Sequence, residues 1–157
     1  MSERALRAPA HIRDAVPADA PHLAPLLDAL GYPADAATIR TRLAWLLTVD
    51  PTARVLVAQV GNVVEGFATL HGTPTLHRPT LVGRITGLAV TAEARRHGVG
   101  RRLVEAAEDH FRALGATRIE VTSGPTHAPA YDFYRRLGYE DQGVRFAKPL
   151  APAAGAA

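Results

Sequence analysis

Arg95-Arg96-His97-Gly98-Val99-Gly100-Arg101-Arg102 follows an apolar run, Ile85 to Val90, and opens an amphipathic segment, Leu103 to Leu114. A strand, a glycine-bearing turn and a helix start are therefore written in order. The first N–H groups of a helix lack intrahelical partners and sit at the positive end of its dipole, so such a start attracts phosphate. Gly98 and Gly100 keep Cβ atoms away and permit φ > 0, which lets a ligand oxygen approach the main chain. Arg95, Arg96, Arg101 and Arg102 add positive charge. The stretch predicts a pyrophosphate or a similar anion at this turn. It matches neither common nucleotide fingerprint. Arg101 and Arg102 follow Gly100 where a P-loop needs Lys and Ser/Thr, and Leu103 stands where the dinucleotide fingerprint needs its last glycine.

The rest of the chain bounds what surrounds this turn. Its 157 residues, 47% apolar and 21% charged, suit one globular domain with an adequate core. We expect a single domain over 1–157, with a core from about 10 to 149 and a flexible tail at 151–157. Cysteine is absent, which excludes disulfides, thiolate metal sites and a cysteine nucleophile. Among 18 basic residues only Lys148 is lysine. Arginine suits bidentate phosphate contacts. Met1 to Ala10 has no apolar core and no run reaches a membrane span, so the expected location is cytoplasmic, with no membrane partner.

Hydrophobic periodicity orders the elements. His11 to Val16 reads as a strand. Pro17-Ala18-Asp19 starts a helix whose stripe is Leu23, Leu26, Leu27 and Leu30. Ala36 to Leu47 is a second amphipathic helix, and Asp50-Pro51 breaks the chain. Arg54 to Val60 and Val63 to His71 are strands joined at Gly61-Asn62. Gly72 to Pro79 is a loop. Leu81 to Val90 is a strand interrupted by Gly83 and Gly87, where a bulge is expected. After the glycine turn come a helix ended by Gly115, a strand Arg118 to Thr122 and a helix Ala128 to Leu137 ended by Gly138. Tyr139 to Pro149 fits one or two terminal strands. The order β-αα-ββ-β-α-β-α-β(β) is mixed α/β, with antiparallel strands first.

The strand Leu88-Ala89-Val90 followed by R-x-x-G-x-G resembles the acetyl-CoA-binding segment of the GNAT superfamily of N-acetyltransferases. A second stretch, Thr126-His127-Ala128-Pro129-Ala130-Tyr131-Asp132-Phe133-Tyr134-Arg135-Arg136-Leu137-Gly138-Tyr139, is similar to that family's later segment N-x-x-A-x-x-F/L-Y-x-x-x-G-F/Y. Ala130, Phe133, Tyr134, Gly138 and Tyr139 match it, while His127 stands where asparagine is commoner. The resemblance covers roughly residues 10 to 149. It implies an α/β fold with a mixed, mostly antiparallel sheet, helices on its flanks and a splayed parallel pair of central strands. The gap would hold the pantetheine arm of acetyl-CoA, the implied cosubstrate. It also implies cofactor-binding residues at Leu88, Ala89, Val90, Arg95, Arg96, His97, Gly98, Val99, Gly100, Arg101, Arg102, His127 and Tyr134. Tyr134 occupies the family's frequent general-acid position. A phenol there would protonate, or hydrogen-bond, the departing thiolate.

The expected reaction is acetyl transfer from acetyl-CoA to a primary amine of a small molecule, by direct attack in a ternary complex. Many relatives place a glutamate base on the fourth strand. Here that strand, Arg84 to Val90, has no carboxylate. Glu120, His71, His77 and a chain of waters all remain open as the base. His71 and His77 have no third ligand nearby, so no metal site is expected. Two alternatives stand beside the leading one: a CoA-binding regulatory domain without catalysis, and a protein N-acetyltransferase. A nucleic-acid module is disfavoured, because the arginines crowd one turn and aromatics are only 6% of the chain. A homodimer is expected if the terminal strands pair across a two-fold axis.

Overall fold

The tight turn at Gly61-Asn62 joins β2 (Arg54–Val60) to β3 (Val63–Thr73), and the rest of the sheet is laid on this hairpin. β1 (His11–Asp14) runs antiparallel to β2, and β4 (Val82–Val90) runs antiparallel to β3. β5 (Arg118–Val121) is parallel to β4, giving the order β1-β2-β3-β4-β5. The computed structural model describes residues 7–122 and 128–155. The chain divides into two compact units, Met1–Val121 and Thr122–Ala157. The first holds the sheet, α1 (Ala20–Ala29), α2 (Ala36–Val49) and α3 (Val99–Ala113), and the second holds α4 (Ala128–Arg136). Among the described residues no helix is long and apolar enough to cross a membrane.

Each sheet face is covered by helices from one part of the sequence. Val57, Phe67 and Ala89 are aligned across β2, β3 and β4. They pack with Leu23 and Leu26 of α1 and Ile39 of α2. α3 covers the other face with Leu103, Val104 and Phe111, all buried. It comes very close: a Cβ added to Gly83 would fall 2.4 Å from the Phe111 ring. Glycine stands there because the ring lies on the backbone of β4. The expected bulge is therefore not at Gly83. The register slips between Thr69 and Leu70, which leaves Thr86, the neighbour of Gly87, as the extra residue of β4.

β1 and α1 are locked together by one buried charge. The Asp19 carboxylate accepts both Arg13 guanidinium nitrogens at 2.8 Å and the Val16 N–H at 2.8 Å. A short 3-10 turn, Pro17–Asp19, fills the expected helix start. Other ends move by a few residues, with α2 reaching Val49 and β3 reaching Thr73.

The terminal strands are a correction. Residues 139–153 carry no regular structure, and Val144, Phe146 and Leu150 are 80%, 93% and 87% exposed. Alternating apolar residues make a strand only where a neighbouring strand supplies hydrogen bonds. Pro149 also lacks a backbone donor.

Candidate active site

β4 outruns its partner. Its pairing with β5 ends at Ile85 opposite Val121, while the strand continues to Val90. Thr91 N–H donates to Glu65 O on β3 at 2.8 Å. Backbone groups alternate sides along an extended chain, so Ala89 also faces β3. Leu88 and Val90 turn their N–H and C=O groups the other way, past the last β4–β5 rung. The expected set Leu88-Ala89-Val90 thus divides: two backbones face the open side, and Ala89 is buried in the core beneath α1 and α2.

Residues 91–97 turn the end of this strand into the helix start. Gly98 is the N-cap of α3, with φ +78° and no side-chain cap. The second left-handed residue is Arg96, at φ +66°, and Gly100 lies inside the helix. Between these two left-handed residues the His97 N–H donates back to Ala94 O at 3.2 Å, which closes the turn ahead of the helix start. The first helical bond is Arg102 N–H to Gly98 O at 3.1 Å. The N–H groups of Val99, Gly100 and Arg101 precede it and have no partner within the helix. Arg101 pairs with Glu105 at 2.9 Å. Among the described residues, Arg95, Arg96 and Arg102 have no carboxylate partner. His97 Nδ1 lies 3.0 Å from Arg95 O, which braces the turn. His97, Val99 and Arg102 also line a cleft of about 240 Å³, together with Arg7 to Ala10 and Val60. Arg7 is fixed there by Glu65 and by Glu93 O.

The profile of the Acetyltransferase (GNAT) family matches residues 23–139 of this chain. The chain belongs to the GNAT family of acetyltransferases. An aminoalkylphosphonate N-acetyltransferase of Salmonella typhimurium is 31% identical over 102 residues, covering 65% of this chain and 66% of that protein. An IAA acetyltransferase of Azospirillum brasilense is 31% identical over 93 residues, covering 59% and 58%. The GNAT chain thus spans 66% and 58% of the length of these two relatives. A GNAT family acetyltransferase of Staphylococcus aureus superposes with a TM-score of 0.77 at 23% identity, covering 91% of this chain and 100% of that one, and shows the same fold.

The second GNAT motif lies in the second unit. Tyr134 sits on α4, and its carbonyl accepts the Tyr139 N–H at 3.0 Å where Gly138, at φ +90°, ends the helix. Its ring meets those of Phe133 and Tyr139 edge-on at 5.1 and 5.7 Å. Burial pushes the phenol up to about 12, so it stays a hydrogen-bond donor at any physiological pH. His127 lies outside the described residues.

The three side chains left open as the base have different surroundings. Glu120 is gripped by Arg118 at 2.9 Å and Arg84 at 3.0 Å. Arg118 above all holds its carboxyl below the usual range. His77 lies on the exposed loop between β3 and β4. His71 Nδ1 is 2.8 Å from Asp50 Oδ2. In the sequence Asp50 reads only as a chain breaker beside Pro51. The spacing Asp50-x-Thr52 was the available signal, since aspartate there bonds the backbone two residues on. Thr52 gives Asp50 Oδ1 both its N–H, at 2.9 Å, and its hydroxyl, at 2.6 Å.

Proposed function

We propose that this protein transfers the acetyl group of acetyl-CoA to a primary amine of a small molecule. One observation carries the reading: among the described residues β4 runs past its last rung with β5 at Ile85, and residues 91–97 turn its end into the uncapped, left-handed start of α3. An extended amide-bearing arm ending in a pyrophosphate fits that sequence of donors. Leu88 and Val90 would bond the pantetheine amides as an added strand does. The N–H groups of Val99, Gly100 and Arg101 would hold the pyrophosphate, with Arg95, Arg96 and Arg102 adding charge. Bound acetyl-CoA supplies an activated acyl carbon and a thiolate leaving group. A backbone N–H beside the Thr86 bulge would polarise the thioester oxygen.

Tyr134 enters on its motif and its chemistry. Burial raises its phenol, which keeps the O–H proton in place to meet the departing sulfur. We therefore assign Tyr134 a hydrogen bond to the departing sulfur, with the sulfur taking its proton from the attacking amine. The family profile runs across both units, which supports one functional domain. The relative named for aminoalkylphosphonate acetylation supports a small amine acceptor.

Incubation with acetyl-CoA and a panel of aminoalkylphosphonates, amino acids, polyamines and aminoglycosides tests this, with thiol release and added acetyl mass as readouts. A peptide library runs in parallel. Acetylation of peptides alone would make the protein a protein N-acetyltransferase. Tight acetyl-CoA binding with no acetylation of either set would favour the regulatory domain.

A further inference from the structure

His71 and Asp50 form a hydrogen-bonded pair that the reaction described above leaves unused. Thr69 lies opposite Gly87 at the β4 bulge. His71 follows Thr69 by two residues and so shares its face, the one that α1 and α2 cover further along. That places it about 7 Å along β3 from the bulge. Its cross-strand partner is Arg84. The charged groups facing it are Asp50 from the end of α2, Arg84 from β4 and, through Arg84, Glu120 from β5.

The pair has the parts of a proton acceptor. Thr52 donates twice to Asp50 Oδ1, and its hydroxyl accepts the Gly72 N–H at 2.8 Å. Asp50 is thereby pinned to β3 as a carboxylate. Its other oxygen lies 2.8 Å from His71 Nδ1, and a carboxylate, which can only accept, favours the Nδ1–H tautomer that puts the lone pair on Nε2. The His71 side chain is 24% exposed, so the ring is neither sealed in the core nor fully in solvent. Glu120 lacks these properties because two arginines occupy it. His77 has no carboxylate to fix its ring among the described residues.

We propose that His71 is the general base for the acceptor amine and that Asp50 is the positioning residue that fixes its tautomer. The proposal rests on the acetyl-transfer reading. Nε2 takes one proton from the acceptor ammonium, directly or through one water. The freed nitrogen lone pair attacks the acetyl carbon, a C–N bond forms, and the C–S bond breaks with its electron pair on sulfur. The second amine proton passes to that sulfur, and the imidazolium returns its proton to solvent. The products are an amide, a thiol and one proton.

The test uses the full chain with acetyl-CoA and the best amine from the panel. His71→Gln should lower kcat/KM for the amine about 10²–10⁴-fold at pH 7. Its acetyl-CoA affinity should stay within about twofold, because the substitution lies away from the turn and leaves its backbone donors intact. Raising the pH should restore its rate with a slope of one, as free amine replaces ammonium. Asp50→Asn should cost roughly 10–100-fold. It should also move the His71 ring ¹⁵N shifts away from a pure Nδ1–H tautomer, and its rate should recover as the pH rises and free amine replaces ammonium, a recovery that a merely structural role would not give. The shifts of the unmutated protein must show that tautomer, a reading that needs no variant to fold. Wild-type kcat/KM and pH profile in His71→Gln, or an Nε2–H tautomer in the unmutated protein, would overturn the assignment while leaving acetyl transfer standing. Failure of the unmutated protein to acetylate any amine would remove both.

Discussion

Asp19 is 4% exposed and carries the join between β1 and α1. The Arg13 hydrogen bond, first of all, holds its carboxyl below the usual carboxylate range. A group lowered in this way stabilises the fold above its unfolded value, near ~3.9, and the contribution disappears as pH falls through the folded value. Asp19→Asn should therefore cost about 2–4 kcal/mol at pH 7, the scale of breaking a largely buried pair. Urea unfolding of both proteins should show the difference shrinking below about pH 4. Tyr134 offers a second test at this scale. Tyr134→Phe should lower kcat roughly 10–10³-fold with little change in acetyl-CoA affinity. Because its phenol lies up at about 12, no alkaline limb of the kcat profile should arise from it below about pH 11. Unchanged turnover, with chemistry rate-limiting, would make the hydroxyl structural.

At the scale of elements, α3 is placed by two glycines for different reasons. Gly83 lets the Phe111 ring rest on β4, and a Cβ there would overlap the ring at 2.4 Å. Gly83→Ala should destabilise by about 1–3 kcal/mol, the usual cost of overpacking. Thermal unfolding measures it, and a wild-type midpoint would mean that Phe111 can move aside. Gly98 instead has open space around its Cβ position but φ +78°. A β-branched residue resists that conformation. Gly98→Val should weaken acetyl-CoA binding at least ~10-fold by reshaping the turn, on the scale of one to two kcal/mol of backbone strain. Calorimetric titration at wild-type affinity would show that the side chains, not the main chain, hold the anion.

For the whole molecule, the proposed slot should couple ligand binding to stability. Acetyl-CoA at 100 times its Kd should add about 2.7 kcal/mol to the unfolding free energy. In a chain of 157 residues that corresponds to a rise of roughly 5–10 °C in Tm. Scanning calorimetry at increasing acetyl-CoA checks the size and the concentration dependence together. No shift at saturating ligand would contradict binding to the native chain.

Local chemistry made most of the fold legible in the amino-acid order. Periodicity marked β2, α2 and α3, and Gly115 and Gly138 marked helix ends, because these signals arise between residues a few positions apart. The turn from Arg95 to Arg102 was legible for the same reason, although Arg96, rather than Gly100, takes the second left-handed position. What tertiary structure alone decided involves residues far apart in the chain. Gly83 meets Phe111, Asp50 meets His71, and Tyr139 to Pro149 forms no strand despite its alternation. A sequence pattern states which residues can be buried or paired. Only the folded chain determines which surface, carboxylate or strand edge is there to receive them.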